Sequence, residues 1–276
     1  MSERVAVITG ANTGIGFSLA ERLLTDERNI QIWLACRNVR KANEAKDMLR
    51  RKFPDSFVRI VQLDTSNIGS VLRAAETLKR ELRRLDLLYL NAGIMPVTGF
   101  DFQRFISNIL SKNAFEILST GEALMKQSDN VTSDGYQETF ATNVFGHFVL
   151  ARKLKELMAC STGAKIIWTS SSNANKRHFD LDDIQHARGK EPYSSSKYLI
   201  DLVSVAMNAE FSQSGITSSV VNPGLVLTNM TFSILPIFLW YAVMPILFML
   251  QINEGDAIQA YRSLIELQER HEKTVF

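Results

Sequence analysis

The chain has 276 residues, 46% hydrophobic and 22% charged, proportions that exclude a disordered or fibrous protein and fit one large folded unit. Its 31 basic and 29 acidic residues leave a net charge of +2, which gives no electrostatic footprint for nucleic acid. Two cysteines, Cys36 and Cys160, are too few for a disulfide framework and point to a reducing compartment.

Val5–Thr9 is a compact β-branched run that meets Gly10 too soon to be a signal-peptide core. A helical stretch follows over 14–24, then a second apolar run, Ile30–Ala35, and a charged helix over 39–52. Phe57–Leu63 is a third run. The next helix, 67–84, carries Val71, Leu72, Ala75, Leu78 and Leu82 on one face, and Leu85–Leu90 is a fourth run. Residues 97–133 form an insertion with its own apolar helical pattern (Phe102, Phe105, Ile106, Ile109, Leu110), ahead of a helix beginning near Asp134. Ile166–Thr169 and Thr217–Val221 are the fifth and sixth runs, and a last helix is expected over 254–270. Short apolar strands alternating with helices of 12–18 residues are βαβ units, joined by right-handed crossovers. The prediction is therefore a single α/β domain, a doubly wound parallel sheet covered on both faces. Between Phe211 and Asn253 there is no charged residue, and residues 232–252 read FSILPIFLWYAVMPILFMLQI.

The first strand runs into Thr9-Gly10-Ala11-Asn12-Thr13-Gly14-Ile15-Gly16. Between a strand and a helix, Gly10 permits a tight turn and Gly14 lets the backbone approach a pyrophosphate. Gly16 allows close helix–strand packing, and the helix N-terminus offers free N–H groups to phosphate. The bland alternative is a glycine turn with no ligand. At the end of the second strand, where a carboxylate would grip a ribose 2′-hydroxyl, stands Arg37. A guanidinium suits a 2′-phosphate, so the expected cofactor is NADP(H), although Arg40 and Lys41 are equally exposed candidates. Asp64 and Asn91-Ala92-Gly93 close the third and fourth strands, at the carboxyl ends where such sheets bind ligands. Either could instead be turn chemistry.

Tyr193 and Lys197 are four residues apart, on one helix face. A phenol is a poor acid–base at neutral pH, and an adjacent ammonium is expected to lower its pKa towards the working range. Upstream, Ser170-Ser171-Ser172 puts a hydroxyl at the end of the fifth strand.

In this order the turn Thr9–Gly16, Asn91-Ala92-Gly93, Asn143, Ser171, Tyr193, Lys197 and Pro223-Gly224 resemble the short-chain dehydrogenase/reductases over nearly the whole chain. Longer strings resemble the branch of that family that reduces ring ketones of sterols and steroids. They include Thr142-Asn143-Val144-Phe145-Gly146-His147-Phe148 and Glu191-Pro192-Tyr193-Ser194-Ser195-Ser196-Lys197-Tyr198. The resemblance implies that Tyr193 protonates the carbonyl oxygen as hydride arrives, that Lys197 holds the nicotinamide ribose, and that Ser171 donates to the substrate. It implies also that Asn143 holds a water in a proton relay, with Pro223-Gly224 and Thr228 beside the nicotinamide. The substrate implied is the 3-keto group of a sterol intermediate, with the 17-keto group of an estrogen second.

Two features depart from the simplest members. An inserted loop, 173–190, separates serine from tyrosine and leaves open which of Ser170, Ser171 and Ser172 acts. The family's usual last strand is short or missing. A reductase of retinal or another lipid carbonyl, and a non-catalytic scaffold, are the rival readings; the four-residue set of Tyr193, Lys197, Ser171 and Asn143 argues against the scaffold.

The remaining motifs carry less. His147 reads as a helix-face residue, and His178, His186 and His271 lack metal-ligand spacing, so no metal is expected. Cys36 beside Arg37 reads as a buried strand-end residue, or as a thiol of lowered pKa. Asn130-Val131-Thr132 and Asn229-Met230-Thr231 match glycosylation acceptors by chance. Residues 223–253 are expected to form an apolar substrate lid. As a helix its 232–252 stretch would just span the hydrocarbon core of a membrane, but Pro236 and Pro245 would kink a helix and flanking Lys or Arg are missing. The expectation is a kinked element dipping into the bilayer surface, anchored by Trp240 and Tyr241. The alternative is a lid buried in the fold or in a homodimer interface. The resemblance implies the endoplasmic reticulum membrane, with the catalytic domain facing the cytosol.

Overall fold

The computed structural model describes residues 4–27, 29–100 and 125–224. The apolar pattern Phe102–Leu110, Thr228, the 232–252 stretch and the 254–270 helix lie outside them. Six strands make one parallel sheet: β1 (Arg4–Thr9), β2 (Ile30–Cys36), β3 (Phe57–Gln62), β4 (Leu87–Leu90), and, after the insertion, β7 (Ala164–Thr169) and β8 (Ile216–Val221). Their order is β3-β2-β1-β4-β7-β8. Both faces of each inner strand are apolar because each face is covered. In β1, Val5 and Val7 enter one core while Ala6 and Ile8 enter the other. In β2, Trp33 and Ala35 alternate likewise with Ile32, Leu34 and Cys36.

One layer holds α1 (Gly14–Asp26) and α2 (Val39–Lys52), which bury Ala20, Leu23 and Leu24, then Ala42, Ala45 and Leu49. The other holds α3 (Ile68–Glu81), α4 (Gly146–Ala159) and α5 (Pro192–Phe211). Asn38 and Asn67 cap α2 and α3 by accepting from Lys41 N and Ser70 N. Trp168 and Phe211 are the largest fully buried side chains of the second core. The Trp168 indole N–H donates to Ser218 Oγ at 3.1 Å, which satisfies the one polar atom such a ring brings inside.

Three local features differ from the sequence reading. The insertion opens and closes as an antiparallel pair, β5 (Val97–Phe100) with β6 (Met125–Gln127). The helix expected near Asp134 begins at Glu138 and passes through a π turn, Ala141–Phe145, before α4. The loop 173–190 contains two 3-10 turns, Lys176–His178 and Leu181–Asp183. Among the described residues no helix is long and apolar enough to cross a membrane. The strand order reverses between β1 and β4, and the crevice at their carboxyl ends is where this topology places a ligand.

Candidate active site

Gly10 leaves β1 with φ +67°, a conformation that costs glycine little, and its N–H donates to Ala35 O at 2.9 Å, pinning the turn to β2. A Cβ on Gly16 would lie 2.6 Å from Gly10 O and 2.7 Å from Asn91 Nδ2. Only glycine lets α1 sit so close to the ends of β1 and β4. Thr13 makes no side-chain cap and the first turn of α1 carries no acid. The N–H groups beyond Asn12, at Gly14, Ile15 and Gly16, thus keep their hydrogen-bonding capacity and the positive end of the helix dipole. This cradle fits a dinucleotide pyrophosphate.

Arg37, at the end of β2, has its guanidinium 4.0 Å from Asp64 Oδ2. The two line an open polar cleft of ≈ 520 Å³ with Gln62, Ser66, Ser70 and Arg73. Asp64 Oδ1 accepts from the N–H and hydroxyl of Ser66 at 3.0 and 2.7 Å, so part of this carboxylate is turn chemistry. Arg40 pairs with Glu44 on α2 at 3.0 Å and is not among the residues lining the cleft, whereas Arg37 stands in it at the end of β2 and Arg73 in it on α3. Arg37→Asp is expected to weaken NADPH binding about 10- to 100-fold and NADH much less, because a carboxylate repels the 2′-phosphate. Fluorescence titration with both nucleotides measures it; equal losses would remove Arg37 as the selector. Burial pushes the Cys36 thiol up to about 11. The lowered value entertained for it is corrected: Arg37 points into the cleft, and desolvation governs the thiol.

On the catalytic side, Pro192 starts α5 and puts Tyr193 and Lys197 one turn apart. Lys197 is buried; its Nζ lies 5.4 Å from the Tyr193 ring centroid and donates to Thr169 O at 2.8 Å. Burial lowers its pKa to about 8, with the Asp201 carboxylate pulling the other way. Burial raises the Tyr193 pKa, and the hydrogen bond with the Ser171 side chain opposes this. The expected lowering of the phenol by Lys197 is therefore not what the geometry gives. Desolvation of the phenolate is the largest cause of its shift. A phenol raised in this way keeps its proton at neutral pH, which suits a proton donor.

The three serines separate cleanly. Ser170 is buried and donates to Lys197 O at 3.3 Å, behind the helix, while Ser172 is exposed in a turn. Ser171 is the one beside Tyr193. Asn143 sits fully buried in the π turn, a helix irregularity often found at functional sites. Its Oδ1 accepts from Ile94 N at 2.8 Å, and its Nδ2 donates to Ile94 O and Ser196 Oγ at 3.0 Å each. It therefore clamps the chain leaving β4 against α5. Asn91 and Ala92 both donate backbone N–H groups to Thr9 Oγ1, at 2.8 and 2.9 Å. The Asn91 side chain joins Thr9 O and Thr169 Oγ1. With Gly93 these residues tie together the ends of β1, β4 and β7. Pro223, half-buried, follows β8.

Two residues enter that the sequence reading did not assign. Gln127 accepts from Tyr193 N at 3.1 Å and donates to Glu191 at 2.7 Å, so β6 holds the start of the catalytic helix. His147 is fully buried between α4 and β1. Among the described residues no group of three His, Cys, Asp or Glu could hold a metal ion.

The pattern of the short chain dehydrogenase family matches residues 4–236, and the chain belongs to that family of oxidoreductases. It is 49% identical over 249 residues to a Rattus norvegicus protein named 3-keto-steroid reductase/17-beta-hydroxysteroid dehydrogenase 7, covering 90% of this chain and 75% of the relative. The Homo sapiens protein of the same name is 47% identical, with 90% and 73% covered. Among solved structures, salutaridine reductase from Papaver somniferum superposes with a TM-score of 0.64 at 24% identity, covering 84% of this chain and 90% of that one.

Proposed function

We propose that the chain reduces a ring ketone of a sterol or steroid with NADPH, the 3-keto group of a sterol first and the 17-keto group of an estrogen second. The observation that carries this reading is the 47–49% identity to two proteins named 3-keto-steroid reductase. It is supported by Tyr193, Lys197, Ser171 and Asn143 meeting beside the glycine turn. The Gly10–Gly16 turn, Arg37 and Asp64 would hold the cofactor, which would supply the hydride. Ser171 donates a hydrogen bond to the substrate carbonyl oxygen, and Tyr193 transfers its proton to that oxygen as charge develops there. Lys197, charged below about pH 8, stabilises the phenolate left behind and binds the ribose. Asn143 keeps the chain after β4 seated against α5, so that these groups stay in register.

The charge-free stretch 232–252 supports a membrane-contacting lid on the endoplasmic reticulum, through which an apolar ketone enters from lipid while the reductase faces the cytosol. One preparation tests both parts. Membranes containing the protein should oxidise NADPH with a 3-keto-sterol and not with retinal, and the activity should sediment with them until carbonate releases it. Turnover of retinal alone would overturn the substrate; activity that never sediments would overturn the membrane contact.

A further inference from the structure

His147 is one of 4 histidines in the chain and is completely enclosed. Its Nδ1 lies 3.1 Å from Asn143 O and its Nε2 lies 2.9 Å from Thr9 Oγ1. A carbonyl oxygen can only accept, so Nδ1 carries the ring proton and donates to Asn143. The neutral ring then presents a lone pair at Nε2, which needs a donor. Thr9 has one hydroxyl proton and two lone pairs. The lone pairs are taken by the N–H groups of Asn91 and Ala92, so its proton is what Nε2 receives. The alternative acceptor, Tyr89 O, is more distant at 3.3 Å, and choosing it would set two lone pairs against each other at 2.9 Å. Every donor and acceptor in this chain of bonds has one consistent assignment, and it runs from the strand ends beside the glycine turn to the turn that carries Asn143.

We propose that His147, as its neutral Nδ1–H tautomer, is a positioning residue that locks the cofactor-side strand ends of β1 and β4 to the catalytic Asn143 turn. It touches neither the carbonyl nor the proton donor. It acts through two arms: Thr9, which holds Asn91 and Ala92, and the Asn143 backbone, whose side chain holds Ile94 and Ser196. The ring also packs edge-on against Trp168, with ring centroids 6.1 Å apart. The inference rests on the reductase reading for what the two arms serve.

The two arms can be cut separately. An asparagine amide nitrogen occupies nearly the place of Nδ1, and a glutamine amide oxygen nearly that of Nε2. His147→Asn keeps the Asn143 arm and loses Thr9: the NADPH dissociation constant should rise about 10-fold with kcat at saturating nucleotide near that of the native protein. His147→Gln keeps the Thr9 arm and loses Asn143: nucleotide affinity should hold while kcat falls about 10-fold. These are the sizes expected for one buried hydrogen bond each. His147→Leu should show both losses. A purely structural role would instead scale kcat and nucleotide affinity together in all three variants, with no split between the two arms, which would overturn the proposal. Independently of any substrate, ¹⁵N-histidine NMR, with the His147 signal identified by its loss in the asparagine variant, should show a protonated Nδ1 and an unprotonated Nε2. The opposite tautomer, or a charged ring at pH 7, would overturn the proposal even in an active enzyme. Absence of reductase activity together with the stated tautomer would overturn the reductase reading alone.

Discussion

Tyr193→Phe should lower turnover about 10²- to 10⁴-fold, the usual contribution of a positioned general acid, and leave nucleotide affinity unchanged. The substitution removes one oxygen and keeps the ring against which Lys197 Nζ sits at 5.4 Å. The backbone of residue 193 still donates to Gln127 and accepts from Ser196 Oγ, so α5 keeps its start. Ser171 loses its phenolic partner but retains Asn173 N as a donor, at 3.2 Å, and is not left without a bond. The loss should therefore fall on kcat, the signature of an interaction made in the transition state. Single-turnover reduction at saturating NADPH, with nucleotide titration alongside, separates the two quantities. A phenylalanine variant that turns over near the native rate would remove Tyr193 as the donor and revive the scaffold reading.

The fold should also lose about 3 kcal/mol between pH 6.5 and pH 4 through His147 alone. Burial lowers its pKa from 6.5 to about 4, with the Lys197 charge adding to the shift. As pH falls through 6.5 the unfolded chain takes up a proton that the folded chain refuses, so stability declines until the ring protonates in the fold near pH 4. His186, also lowered by burial, adds a loss of the same sign. So does Asp183, which the Arg188 and Ala187 N–H groups and the Arg188 charge hold below the usual carboxylate range. Asp129 and Asp201 are raised by burial; the folded chain binds their protons first, and they offset part of the decline. Lys197 acts at the other end. Its folded value of about 8 lies below 10.5, so its contribution to stability rises from pH 8 to 10.5 while catalysis loses the ammonium. Urea unfolding at several pH values, for the native chain and for His147→Leu, measures the histidine's share. The leucine variant should start less stable and show a flatter acid limb; an unchanged slope would show that another group carries it.

The parallel sheet was legible because its signals are local. β-branched runs such as Val5–Thr9 and the helical stripe of Val71, Ala75, Leu78 and Leu82 need no distant partner, although Leu72, read onto the same face, is exposed. The α2 boundaries, 39 and 52, come directly from the periodicity and the Arg50-Arg51-Lys52 end. The Tyr193 and Lys197 pair was equally readable from its spacing. What escaped depends on residues far away in the chain. β5 and β6 are short, and their pairing spans the insertion. Gln127 meets Tyr193 at a separation of 66 residues. Whether a phenol is raised or lowered depends on how deeply the fold buries it, which the spacing of Tyr193 and Lys197 does not show. His147 did leave a trace: it stands 3, 4 and 7 residues before Leu150, Ala151 and Leu154, on the buried stripe of α4. A histidine on such a stripe must find partners for both ring nitrogens, and that requirement, followed through, leads to Thr9.

The span between those partners also sets an order of assembly. Thr9 and His147 are 138 residues apart, and Thr9 and Asn91 are 82 apart. Closing loops of that length ahead of any reward makes parallel sheets slow to form, and chains generally fold from the N-terminal end during synthesis. A nascent chain that has laid down β1 to β4 already owns the glycine turn, Arg37 and Asp64, and the amides that occupy the Thr9 lone pairs. For the Thr9 proton it has only Tyr89 O, at 3.3 Å, and still lacks His147 Nε2, at 2.9 Å. The nucleotide cradle therefore takes shape before the apparatus that uses it: α4 brings His147 to Thr9, and Ser171 and α5, with Tyr193 and Lys197, arrive last to complete the catalyst.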